Sequence, residues 1–153
     1  MDTAPLHDAF RALQETPAGV AAPPPGEWDA DHVWAHVSLI TGAAVEAAAA
    51  LMAGSHPHYD SRLSHDSWTL DHVVAVAGDP AGLRERVRRQ GEALCALAAA
   101  LSDTERDTPV PTLLVADGKV MYDKPLTLRE ILTGLATVEL PGHASQLTAL
   151  VPA

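Results

Sequence analysis

A chain of 153 residues fits one domain and is long enough to bury a hydrophobic core without disulfide or metal staples. Acidic residues outnumber basic ones 20 to 10, and the resulting charge of −10 opposes binding to a phosphate backbone, so nucleic acid is not an expected partner. The one cysteine, Cys95, lies in GEALCALAAAL; it excludes an internal disulfide and reads as a small buried hydrophobe in a reducing compartment.

Apolar periodicity and its punctuation divide the chain into four main helices. A short first helix covers about residues 3–16, with Leu6, Phe10 and Leu13 on one face. The segment PAGVAAPPPGE after it cannot be helical and forms a stiff connector. The second helix runs from an N-cap at Asp29 to Gly54, with Val33, Val37, Ile40, Ala44, Ala47 and Leu51 as its inward stripe. Residues 55–68 show no sustained period and read as a long connection, followed by a short helix through His72 to Ala77. Asp79 and Pro80 open the third helix, which extends to about Ser102 with Leu83, Val87, Leu94, Leu97 and Leu101 in its seam and Gln90 as the odd polar member. Its basic run LRERVRRQ is expected to be a solvated face rather than an anion site. The stretch TPVPTLLVADGKVMYDKP alternates about Asp117-Gly118, the mark of a hairpin. Thr127-Leu128-Arg129-Glu130 is a capping-box pattern that opens the last helix, running toward Leu150.

The expected fold is therefore mainly all-α: a four-helix bundle with one long crossover and a small hairpin before the last helix, in a single domain over 1–153. The opening MDTAPLHDAF has no basic region before an apolar run, and the Ala-rich run is interrupted by Glu46. The expectation is a cytoplasmic protein with no membrane span.

Polar residues stand where core residues should be. The inward stripe of the last helix reads Leu128, Ile131, Leu135 and Val138, then Glu139, His143, Gln146 and Leu150. A buried carboxylate needs a proton, a cation, solvent or a metal, and no lysine or arginine lies nearby on that face. Glu139 and His143 are four apart, so their side chains converge from adjacent turns. His36, on the stripe between Val33 and Ile40, supplies a third ligand. Two imidazoles and a carboxylate suit zinc, and also iron, nickel or cobalt, and leave a coordination position open. The competing readings are satisfied core histidines with Glu139 in solvent, or a His32–His36 pair with no third ligand. His56, His58 and His65 fall in the long connection, where solvent exposure is the ordinary case. Gln90 and Gln146 are candidate pocket residues.

Two segments carry a resemblance. Trp28-Asp29 followed by His36-Val37 resembles the W-(S/T/D)-x6-H-(L/V) segment of the DinB-like superfamily, and Glu139-Leu140-Pro141-Gly142-His143, with Gln146 and Leu147 after it, is similar to that superfamily's last helix. The glutamate form resembles the mycothiol-dependent maleylpyruvate isomerase branch. That likeness implies a zinc ion held by His36, Glu139 and His143, and mycothiol as the thiol cofactor. Eight arginines against two lysines, Lys119 and Lys124, with abundant Ala, Gly and Pro, point to a GC-rich genome such as an actinomycete's, where mycothiol is the usual small thiol. Two departures stand out. Pro141-Gly142 falls between two of the implied ligands and should kink or break their turn, and the C-terminal domain of those isomerases has no counterpart here, so maleylpyruvate itself is not the expected substrate.

The leading functional expectation is metal-dependent thiol transfer or isomerisation on a small electrophilic molecule, with His32 or a loop histidine moving protons. The alternatives are a hydrolase or tailoring enzyme that activates water at the same metal, and a non-catalytic bundle whose pocket serves a small ligand or a homodimer contact.

Overall fold

In the computed structural model, which describes residues 2–152, the chain is mainly helical with a small sheet against one end. Helix α1 (Ala4–Gln14) buries Leu6, Phe10 and Leu13, and α2 (Ala30–Met52) buries the whole expected stripe from Val33 to Leu51. Asp29 caps α2 by accepting from the His32 N–H at 2.9 Å. By length and composition alone α2 is apolar enough to cross a bilayer, with a mean hydropathy of 1.5 over its best window, although Glu46 interrupts it. The small alanines that raise that value, Ala35, Ala44, Ala47 and Ala48, are fully buried against other helices.

The segment read as a featureless connection carries more order than its lack of period suggested. Strand β1 (Tyr59–Asp60) is followed by a 3₁₀ turn at Arg62–His65 and by α3 (Ser67–Ala77), which begins earlier than expected because Asp66 caps it through Thr69. Helix α4 (Pro80–Ala100) opens at the Asp79 cap as expected. Arg86 on α4 bonds Ser38 on α2, and one turn further along both helices Gln90 faces Gly42. The two helices therefore run parallel, which is why a crossover holding α3 must join them. Helix α1 runs the other way along α4, with Phe10 against Gly91 and Gln14 bonded to Arg84. A Cβ at Gly91 would lie 2.8 Å from the Phe10 ring, so only glycine allows that approach.

The basic run of α4 divides by face. Arg88 and Arg89 pair with Glu85 on the solvated side, as expected of such a run. Arg84 instead turns inward, with its guanidinium 4.8 Å from the centre of the Trp34 ring and donating to the Thr16 and Pro17 carbonyls that end the α1 segment.

After the short α5 (Asp103–Arg106), β2 (Pro109–Val110) leads into the hairpin of β3 (Thr112–Ala116) and β4 (Lys119–Asp123). Its turn is Asp117-Gly118, both with positive φ (50° and 71°), as a two-residue hairpin of this hand requires. Strand β1 adds to β3 in parallel, and β5 (Leu126–Thr127) pairs with β2, fixing where the last helical segment starts. Thr127 and Glu130 form the expected capping box at the start of α6 (Leu128–Gly134).

The last helix does not break at Pro141. It widens into a π turn at Leu135–Glu139, where the Leu140 N–H bonds the Leu135 carbonyl five residues back, and continues as α7 (Leu140–Ala149). Proline has no N–H, and its ring would strike the carbonyl four residues earlier in a regular helix; the wider turn removes that conflict. The extra residue shifts the phase of everything after it. Val138, expected in the core, is 64% exposed, and Leu140, Leu147 and Leu150 take the buried positions.

Candidate metal centre

The phase shift aims Glu139 and His143 at His36. One ligand atom from each of the three residues lies within 4.8 Å of the others, close enough for one cation to touch all three. His143 Nε2 stands 3.6 Å from Glu139 Oε2, and the His36 and His143 rings lie 4.7 Å apart in an edge-on arrangement.

Each imidazole has its other nitrogen engaged. His36 Nδ1 donates to the Ser64 carbonyl at 2.8 Å, and His143 Nδ1 donates to Gln146 Oε1 at 3.1 Å. Both bonds place the proton on Nδ1 and leave Nε2 with a free lone pair, as a metal-ligating histidine requires. Burial, with the two neighbouring histidines opposing any added positive charge, pushes His36 down to about 4, so it is neutral near pH 7. His143 Nε2 is buried with no hydrogen-bond partner among the described residues. An orphaned acceptor beside a carboxylate and a second free imidazole nitrogen is costly unless something positive sits between them. The donor set thus fits a divalent metal.

The crossover positions this arrangement from outside the two ligand helices. Pairing of β1 with β3 and a bond from the Val115 N–H to Ser61 Oγ at 2.9 Å fix the segment, and the Ser64 hydroxyl donates to the Ser61 carbonyl. That fixes the Ser64 carbonyl and, through it, the His36 tautomer. Trp28 packs its ring 4.9 Å from His36 and 5.5 Å from His65.

A cleft of about 570 Å³, part of it open to solvent, leads to His36 and Glu139. Ile40, Leu114, Leu126, Ile131 and Leu135 give it apolar walls, while Glu139, with its side chain 48% exposed, stands at the boundary between cleft and solvent. His65 lines the same wall, and burial lowers its pKa. Nothing periodic in the sequence marks His65; β1 and the 3₁₀ turn bring it there.

Other candidate residues lie elsewhere. His32, one turn before His36, has both ring nitrogens held by carboxylates, Nδ1 by Asp29 at 2.7 Å and Nε2 by Asp71 at 2.8 Å, and is not part of the cleft wall. A proton-moving role at the metal does not follow from that position; His65 occupies the place expected of it. Gln146 orients His143 rather than lining the cleft. Gln90 lies in a second cleft between α2 and α4.

No family model matches the chain, and no curated protein or solved structure matches it. The fold and the site define a mainly helical protein with a His–Glu–His group that could hold a metal at the end of an apolar cleft.

Proposed function

We propose that this chain is a metal-dependent enzyme of the DinB-like four-helix type that transfers a small thiol, of the mycothiol kind, to an electrophilic carbon or uses it in isomerisation. The observation that carries the reading is the buried, unpartnered Nε2 of His143 facing Glu139 and His36 beside an apolar cleft. The parallel α2 and α4, with the crossover between them, support the bundle assignment. Zinc is the metal that suits two imidazoles, one carboxylate and an open position, and when bound it supplies Lewis acidity that lowers the pKa of a thiol placed beside it.

The chain's own residues do the rest. His36 and His143 would hold the metal through Nε2 and Glu139 through its carboxylate, while Ser64 and Gln146 hold the rings in orientation. The apolar walls exclude water from the attacked carbon. The thiol proton leaves to a base, for which the His65 ring is the group in the wall; the sulfur then bonds carbon while the double-bond electrons move to the neighbouring carbon, which takes the proton back from His65, or while a leaving group departs with the bonding pair and takes that proton. The substrate is a small molecule, and the setting proposed is the cytoplasm of an actinomycete.

Elemental analysis of tag-free protein tests the reading. Wild type is expected to carry close to one equivalent of metal and Glu139→Gln far less; equally negligible metal in both overturns it. With metal present, mycothiol consumption against a panel of electrophiles is the expected activity, and metal-dependent hydrolysis without thiol consumption replaces the thiol step with water activation.

A further inference from the structure

A second cleft lies across Tyr59 and Ser61 from the metal cleft and shares with it the wall residues Ile40, Tyr59 and Ser61. It encloses about 940 Å³, including open solvent, and its character is different. Because α2 and α4 run parallel, their side chains meet in matching order along it. Arg86 faces Ser38 at one level, Gln90 faces Gly42 at the next, and Glu46 stands one turn further along α2.

Two of these groups are open to a ligand. Arg86, an exposed side chain, uses Nε to donate to Ser38 Oγ at 3.0 Å and leaves its two terminal nitrogens to the solvent at the groove. The Gln90 side-chain oxygen is buried with no hydrogen-bond partner among the described residues, and its Nε2 lies close to Gly42, where a Cβ would stand 3.3 Å from it. A buried amide oxygen without a donor is desolvated with nothing in return, and a leucine of the same shape would pack there at no such cost. An aligned cation, amide and acid complement a ligand carrying a carboxylate, an amide and an ammonium in that order.

We infer that this groove is a recognition site for a small zwitterionic, peptide-like molecule, its carboxylate on Arg86, its amide paired with the Gln90 amide and its amine directed to Glu46. The site stands apart from the metal chemistry proposed above, although the shared wall places such a ligand beside the metal cleft.

The test measures binding of the dipeptide alanyl-alanine, its C-terminal amide and its N-acetyl form by calorimetry, on zinc-loaded wild type, Glu139→Gln, Arg86→Gln and Gln90→Leu. The dipeptide is expected to bind saturably at millimolar concentration and the two capped forms more weakly. Arg86→Gln is expected to weaken the dipeptide about tenfold while leaving the C-terminal amide unchanged, because only the carboxylate meets the guanidinium. Gln90→Leu is expected to weaken all three forms while its melting temperature stays at or above that of wild type, an outcome that a purely structural glutamine would not give. Binding retained in Glu139→Gln supports the site whatever becomes of the metal reading. Absence of saturable binding, meaning that the groove holds only water, overturns the inference. So does binding that Glu139→Gln abolishes and that Arg86→Gln and Gln90→Leu leave untouched.

Discussion

The two clefts on either side of Tyr59 and Ser61 share a wall yet carry different polar groups. The cleft at the candidate metal centre has apolar sides and a group of two imidazoles with one carboxylate, each ring oriented by a bond made away from the cleft. The other also has apolar walls but carries more polar groups, among them an exposed arginine and an amide whose oxygen is buried without a partner. In both, the informative atom is a buried polar one without a partner: His143 Nε2 in the first, the Gln90 oxygen in the second. The chemistry around that atom decides what could satisfy it. A lone pair beside a carboxylate calls for a cation, whereas a buried amide oxygen calls for a hydrogen-bond donor.

Substitutions should separate the clefts. Glu139→Gln is expected to produce the largest change, lowering zinc affinity by more than the roughly 10–100-fold typical of losing an orienting partner, and to leave dipeptide binding in the second cleft intact. Competition with a chromophoric chelator measures it. If zinc affinity is unchanged, the carboxylate is not a ligand and the contrast between the clefts disappears.

Gln146→Leu ranks next. It frees His143 Nδ1 without touching a ligand atom, and zinc affinity should fall by about 10–100-fold while the far-ultraviolet spectrum stays the same. A smaller effect is expected from Pro141→Ala, which restores an N–H and removes the clash that favours the π turn. A regular helix would rotate Glu139 and His143 together relative to His36. Zinc affinity should therefore drop several-fold while thermal stability rises, and a variant with unaltered zinc affinity would show that the wide turn has another cause.

The smallest effect concerns His32, which shares α2 with His36 but is held on the surface. The hydrogen bond to Asp71, with help from Asp29, raises its pKa above the ordinary 6.5. A raised folded-state value means that this tie contributes fully below pH 6.5 and is lost as pH climbs through the folded pKa. Asp71→Asn should thus lower the melting temperature slightly at mildly acidic pH and not at all well above neutrality. Equal differences at both pH values would mean that the ion pair is not the source.

Much of this architecture was legible because it is written in short-range chemistry. Asp29, Asp79 and the Thr127–Glu130 pair announce their helices, and Asp117-Gly118 announces its turn. The His36, Glu139 and His143 group was legible because polar residues interrupted apolar stripes. The segment around Tyr59 to His65 was not, because a two-residue strand has no period and exists only by pairing with β3. His65 and the Ser64 carbonyl were hidden with it. Val138 was misplaced for a different reason: an unbroken 3.6-residue period cannot include a π turn that inserts one residue.

The sequence by itself determined the helices, their caps, the hairpin and the types of residue that could meet at a metal, since each depends on neighbours a few positions away. Only the tertiary structure decided which ring nitrogens stay free. His32 and His36 lie one turn apart on one helix, yet carboxylates take both nitrogens of the first and a loop carbonyl takes one of the second. Asp29 is a local cap, but Asp71 and Ser64 arrive from distant parts of the chain, and no local pattern encodes where they land.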